Sequence, residues 1–514
     1  MGSPSGITFD EQVRFRPFLQ RSGWLIVIAI AYLYVFPYFP KIRSANELPR
    51  IYLVQAIADG HTFAIDRGVE RWGATADVSP SSGHQYSNKA PGSSMLAAPA
   101  YLAVRVVAGE PSLGATMWIA RVFAGIVPML LFLALLWGFL ERFAPDPAVR
   151  RLVLVAYALG SMAMTYSVLF FSHQLGAICV ASAWILALEA AERKRGLLAM
   201  SAAGALAGAA ALVDYQAVFA AVPVAVHVLL KLRGWPKREL ARAIAIAVAG
   251  AGVPICILLA YHAACFGSPF RTGYDASTTF AMYHQQGFLG ITELRWEAFV
   301  GSFVRPDNGL VFLAPWLVLA FPGLVVLAKR RAIGIAAVCS AVIVIYVLFV
   351  CSINFWRGGW GVGPRYITAM LPFMLPGVAA CLQRIDRPLV RGVLASTIVF
   401  GVVIYALSSA TFPYWPDSMQ HPLYDVTFQL LSEGLVAPNA AGVLGVSGIA
   451  SIVPYLLVVG TLVAWTVQRT CGWRGLGIAV VVAAVALVVA GALPRGDRES
   501  QRAYRFVRSA VTER

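Results

Sequence analysis

Three short stretches of this 514-residue chain carry side chains whose types and spacing could do chemistry. The first is Asn46-Glu47-Leu48-Pro49-Arg50. Asn46 suits a helix cap, Pro49 is tolerated in a first turn, and Gly60 can end the helix. Glu47 would then stand in that first turn with Arg50 on the same face, where the cation keeps the carboxylate ionised. An ionised carboxylate so placed can take a proton from a hydroxyl. The plainer use of the pair is a helix-dipole acid with a surface ion pair. The second stretch is Tyr86-Ser87-Asn88-Lys89-Ala90-Pro91-Gly92. Pro91 fits the first position of a helix, so Lys89 would sit beside free backbone N–H groups at its positive end, an arrangement suited to phosphate. A lysine snorkelling to the headgroups would look the same. The third is Asn354-Phe355-Trp356-Arg357-Gly358-Gly359-Trp360-Gly361-Val362-Gly363-Pro364-Arg365-Tyr366. Its glycines allow backbone close to a ligand, its aromatic faces suit sugar rings, and Arg365 suits a phosphate. An interfacial aromatic belt accounts for the tryptophans but not for Arg365.

These stretches must be held by something, and composition says what. Charged residues are 13% of the chain, against about one quarter in soluble domains, and 59% are hydrophobic. Mean hydropathy is +0.71. The apolar residues come in blocks of roughly the 20 needed to cross a bilayer. That excludes a soluble enzyme, a disordered protein and a coiled coil. The pattern predicts an all-α polytopic membrane protein with about thirteen transmembrane helices. They fall near 23–39, 114–140, 152–171, 174–191, 197–213, 216–232, 243–265, 310–328, 332–351, 367–383, 392–411, 448–468 and 475–493.

The net charge of +16 is a topology signal. Basic residues cluster in every second loop (Arg150/Arg151, Lys194/Arg195, Lys237/Arg238, Lys329 to Arg331, Arg384/Arg387, Arg469/Arg474), which places those loops inside. They orient the protein and do not form a nucleic-acid footprint. The other, outer face receives the long polar segments 40–113, 266–309, 352–366 and 412–447. Residues 1–22 read as a cytoplasmic tail and 494–514 as a basic tail, which thirteen spans place outside despite its arginines. The transmembrane part divides into a first module, 23–383, and C-terminal helices, 384–493. The seven cysteines show neither disulfide nor zinc spacing. Two tight turns complete the outer face. His173 either binds substrate or caps a helix, and Asp214 reads as an N-cap.

Asn46-Glu47-x-x-Arg50 early in a first outer loop, and Lys89-Ala90-Pro91-Gly92 near its end, resemble motifs of the GT-C superfamily of integral-membrane glycosyltransferases. The likeness is to the branch with protein mannosyltransferases and the lipid A aminoarabinose transferase. It implies interfacial helices in the first outer loop, a polyprenyl-phosphate sugar donor, and an acidic catalytic base, here Glu47. It implies a donor phosphate held by Lys89, with Arg50 and Arg365 beside it. Tyr86, His173, Trp356, Arg357, Trp360 and Tyr366 are then substrate contacts. Two features depart from the pattern: the usual acidic pair is Asn-Glu, and Lys89 is one residue further from its proline. No cofactor is called for, and a divalent metal, though compatible with the family, is not indicated by these residues.

The chemistry implied is transfer to an acceptor hydroxyl on a lipid, glycan or protein, with inversion at the anomeric carbon. One carboxylate suffices when phosphate is the leaving group, and Asp66, Asp77 and Asp214 stand behind Glu47 as other proton acceptors. The expected place is a bacterial inner membrane with the site on its outer face. The alternative is a transporter or flippase for a lipid-linked or anionic substrate. Such proteins carry charges near mid-membrane and repeated halves; here mid-span charges are scarce and no repeat is evident.

Overall fold

The computed structural model describes residues 22–513 apart from 194, 195, 285 and 289. The expected tail up to residue 21 and the basic pair Lys194/Arg195 lie outside the described residues. Every apolar block expected to span is helical. Among the described residues, eight helices are long and apolar enough to cross a bilayer, nine if the pair Pro147–Leu159 and Met162–Val168, bent by 54°, is one span. That is fewer than the expected thirteen, for two reasons. Gly23–Tyr34, Leu197–Val213 and Pro315–Lys329 are apolar but shorter. Gly448–Gly491 runs 44 residues and contains two expected spans. At about 1.5 Å per residue it is roughly twice the thickness of a hydrocarbon core. The two parts meet at Gly472, whose φ of 71° only glycine adopts readily.

Small residues let the helices touch backbone to backbone. Leu197–Val213 packs on Lys237–Phe266 so closely that a Cβ on Gly204 would lie 2.0 Å from the Ala247 carbonyl oxygen. A Cβ on Gly250 would lie 2.3 Å from that of Ser201. In lipid, where apolar side chains gain little by leaving their solvent, such close packing holds helices together.

One face of the bundle carries the long loops. In the first of them the helices Leu48–Gly60, Asp66–Trp72 and Gly92–Ala108 enclose a hairpin of Val78–Ser81 with His84–Ser87. Leu48–Gly60 is one of the helices of this first outer loop. Protein covers almost its whole surface, Arg50 and Gln55 included. The C-terminal tail lies on this same face. Its helix Arg498–Thr512 buries Tyr504, Val507 and Val511. Tyr504 Oη donates to Glu433 Oε1 at 2.7 Å, and Lys41 of the first loop pairs with Glu513. The arginines of the tail therefore do not draw it to the basic face: the helix is held by its apolar side and by Glu433.

This arrangement makes a labelling prediction. Gln501 and Arg238 are both exposed; Gln501 is in the tail helix on the loop face, and Arg238 is at the start of Lys237–Phe266, whose other end packs on Tyr86 of the hairpin. A membrane-impermeant maleimide applied to intact cells should label Gln501→Cys above the parent background, and Arg238→Cys only after permeabilisation. Equal labelling of both would remove the two-faced architecture.

Candidate active site

Glu47 sits at the start of Leu48–Gly60 with its side chain fully enclosed. Four donors surround its carboxylate. Arg121 reaches Oε1 through Nε at 3.1 Å and Nη2 at 2.9 Å, the Phe170 backbone N–H reaches Oε1 at 2.7 Å, and the Tyr414 hydroxyl donates to Oε2 at 2.6 Å. Arg121 also donates to the Pro37 carbonyl at 3.2 Å, and the Tyr414 hydroxyl oxygen lies 3.4 Å from that carbonyl. This corrects the expected Glu47–Arg50 pair. Arg50 turns the other way, donating to the Asn46 carbonyl oxygen and, at 2.8 Å, to Ser172 Oγ. Asn46 is likewise not the cap: its amide oxygen accepts from Arg365 Nη1 at 3.0 Å and Nη2 at 2.9 Å. Of the adjacent pair, Asn46 lines the main cavity and Glu47 does not.

That cavity, about 500 Å³, lies between the first loop and the bundle. Arg50, Lys89 and Arg365 line it together. Arg50 and Arg365 are 3% and 6% exposed, and among the described residues the Nε of each has no hydrogen-bond partner. A buried guanidinium N–H left unpaired is costly, so an anion is the natural complement. Lys89 Nζ contacts Asp77 Oδ2 at 2.7 Å. Asp77 is in turn set by Asn88, which donates Nδ2 to Oδ1 at 3.1 Å across the neck of the hairpin. Burial holds the Lys89 ammonium below the usual lysine range, with Asp77 opposing it. His173 Nδ1 lies 2.7 Å from Asp214 Oδ2, and Tyr366 packs edge-on to the imidazole. Burial would raise the Asp214 carboxyl, but His173 and Arg50 beside it hold it below the usual carboxylate range. Tyr274, Phe280, Phe355 and Trp360 give the cavity aromatic walls.

Of the residues expected from sequence, Arg50, Lys89, His173, Trp360, Arg365 and Tyr366 come together here. Tyr86 does not: it packs edge-on against Phe266 behind the cavity. Trp356 and Arg357 line a neighbouring hollow, Arg357 paired with Asp307. Arg121 escaped the sequence reading, although an arginine inside an expected span is itself a functional signal. Tyr414, Asp417 and Phe506 also line the cavity; loop and tail residues of common type carry no such signal.

The enclosed Glu47–Arg121 pair predicts a stability effect. Glu47→Gln leaves Arg121 buried without its counter-charge, which costs about 3–5 kcal/mol. Thermal unfolding in detergent should show a lowered Tm, and adding Arg121→Met should recover part of it. A single variant as stable as the parent would mean that the pair is not enclosed.

No family model matches this chain, and no curated protein matches it. Solved structures do. ArnT from Cupriavidus metallidurans in the apo state aligns over 92% of this chain and 77% of its own, with a TM-score of 0.50 at 14% identity. ArnT bound to undecaprenyl phosphate aligns over 92% and 78%, with a TM-score of 0.46 and 14% identity. The Archaeoglobus fulgidus oligosaccharyltransferase in its apo form aligns over 90% and 57%, with a TM-score of 0.47 and 12% identity. Over most of its length this chain therefore shares the fold of ArnT from Cupriavidus metallidurans.

Proposed function

We propose that the chain transfers a sugar from a polyprenyl-phosphate donor to an acceptor hydroxyl, with inversion, on the outer face of a bacterial inner membrane. The observation that carries this is the convergence of Arg50, Lys89 and Arg365 on one cavity, with both arginine Nε groups unpaired among the described residues. Polyprenyl phosphate leaves with its negative charge, so three fixed cations in a partly dry site stabilise the departing group and replace a general acid. The aromatic walls accommodate a sugar ring. The GT-C fold supports the same reading, and the acceptor is a lipid, glycan or protein hydroxyl.

Glu47 has a different place in this mechanism from the one its motif suggests. Its carboxylate is committed to four donors and separated from the cavity by Asn46 and Tyr414. It acts as a positioning residue, holding the loop that presents Asn46 to Arg365. The cavity-facing member of the pair is an amide and cannot take a proton.

Transfer of radiolabelled sugar from short-chain polyprenyl-phosphate sugars, in proteoliposomes, tests the activity. Lys89→Ala and Arg365→Ala should each lower single-turnover rate more than donor affinity, because the phosphate charge grows toward the transition state. Their effects should be non-additive if they grip one phosphate, and Lys89→Arg should restore part of the rate. Strictly additive losses would separate the two cations. Movement of the lipid-linked sugar across the bilayer without transfer would favour the flippase.

A further inference from the structure

Beside the main cavity is a second, more open hollow of about 360 Å³. The two share a wall made of Phe355 and Asp417. On one side Tyr283 stacks on Phe355, ring centroids 4.7 Å apart at 23°; Phe280, on the main-cavity side, stacks on Phe355 at 5.5 Å and 27°. On the other side Ser418 and Glu499 line it. Glu499 comes from the C-terminal helix, which is tied down here by Ser500 Oγ donating to the Ser418 carbonyl at 3.3 Å.

The carboxylates of the region fall into two groups. Asp77 is paired with Lys89 and Asp214 with His173, so both sit among the cations of the main cavity. Asp417 and Glu499 are exposed, and neither has a cationic partner among the described residues. An inverting displacement needs its base across the anomeric carbon from the leaving phosphate. Carboxylates beside the phosphate-holding cations are on the wrong side for that. Asp417, on the wall between the two spaces, is where an acceptor hydroxyl entering from the second hollow would meet a donor sugar in the first.

We propose that this hollow is the acceptor site, that it takes a pyranose with free hydroxyls, and that Asp417 is the catalytic base. The proposal rests on the glycosyltransferase reading above. The stacked rings offer a flat apolar face to one side of a sugar, and the Glu499 carboxylate accepts from a hydroxyl at its edge. In the reaction the acceptor oxygen forms a bond to the anomeric carbon of the donor as the bond from that carbon to the phosphate oxygen breaks. The hydroxyl proton passes to the Asp417 carboxylate, and the electron pair of the broken bond leaves with the polyprenyl phosphate held by Arg50, Lys89 and Arg365.

The test uses the full-length protein and two readouts that do not require turnover. Saturation-transfer NMR with a panel of methyl pyranosides reports the hollow, and titration with a short-chain polyprenyl phosphate reports the main cavity. At least one methyl pyranoside should bind the parent. Tyr283→Ala and Glu499→Gln should each weaken that binding about tenfold, the loss of one good contact, and leave polyprenyl-phosphate affinity unchanged. Asp417→Asn should bind both probes as the parent does, yet lose about 10²–10⁴-fold in transfer rate, as removal of a base does. The acid limb of its kcat/KM profile should be lost, and Asp417→Glu should restore part of the rate. Pyranoside binding that is absent, or unchanged in Tyr283→Ala and Glu499→Gln, would overturn the acceptor site. So would transfer to a serine peptide alone that these two variants leave intact. An Asp417→Asn variant with parental rate and pH profile would overturn the base. Failure of the parent to bind polyprenyl phosphate would instead strike the glycosyltransferase reading itself.

Discussion

A carboxylate with no contact with water must be answered on every side, and in this protein that carboxylate belongs to Glu47. Removing an ion from water costs several kcal/mol even after relaxation, and only good geometry with complete hydrogen bonding offsets it. Three distant parts of the chain meet that demand, and a fourth, Pro37, ties them to the end of the first helix. The three are Arg121 at the end of Leu113–Arg121, the Phe170 amide at a turn, and Tyr414 in a late loop; Arg121 also donates to the Pro37 carbonyl. None of these segments can shift without exposing or orphaning a charge. The node therefore sets the distance between the first loop and the bundle, and so the height of the cavity between them.

The consequences run outward from that node. With Glu47 turned into the protein, its neighbour Asn46 faces the cavity and orients Arg365. Arg50, one turn along the same helix, is released from Glu47 and joins Lys89 and Arg365 there. Lys41 and Arg43 line it too, so the cations of the cavity outnumber Asp77, Asp214 and Asp417, beside several aromatic rings. Such a site is poorly satisfied by the protein alone and suited to an anion with an apolar tail and a flat ring. Its chemistry depends on this imbalance more than on any single residue.

The loop face is completed from the far end of the chain. The helix Arg498–Thr512 closes over residues of the first and last loops, and it contributes Phe506 to one space and Glu499 to the other. Glu433 holds it through both Tyr504 and Arg508. A segment whose composition reads as a basic tail thus forms part of the wall, because its apolar stripe has a place to go.

Much of this was legible from residue order. Apolar blocks of bilayer length dictate helices wherever they occur, since backbone polar groups in lipid can be satisfied only within the segment. Basic residues at alternate loops separate the two faces. The arginine, lysine and glycine-rich motifs marked Arg50, Lys89 and Arg365 because an anion site needs cations near helix starts or bare backbone. Local spacing could not say which partner each charge would take. Glu47 and Arg50 are near neighbours on a helix, yet Glu47 pairs with Arg121, 74 residues away in sequence, and Arg50 bonds Ser172, 122 residues away. The span lengths, the isolation of Glu47 from the cavity, and the meeting of Asp417 with Phe355 were likewise decided by packing. Partner choice in a buried site is set by which groups become enclosed together, and enclosure is a property of the tertiary structure alone.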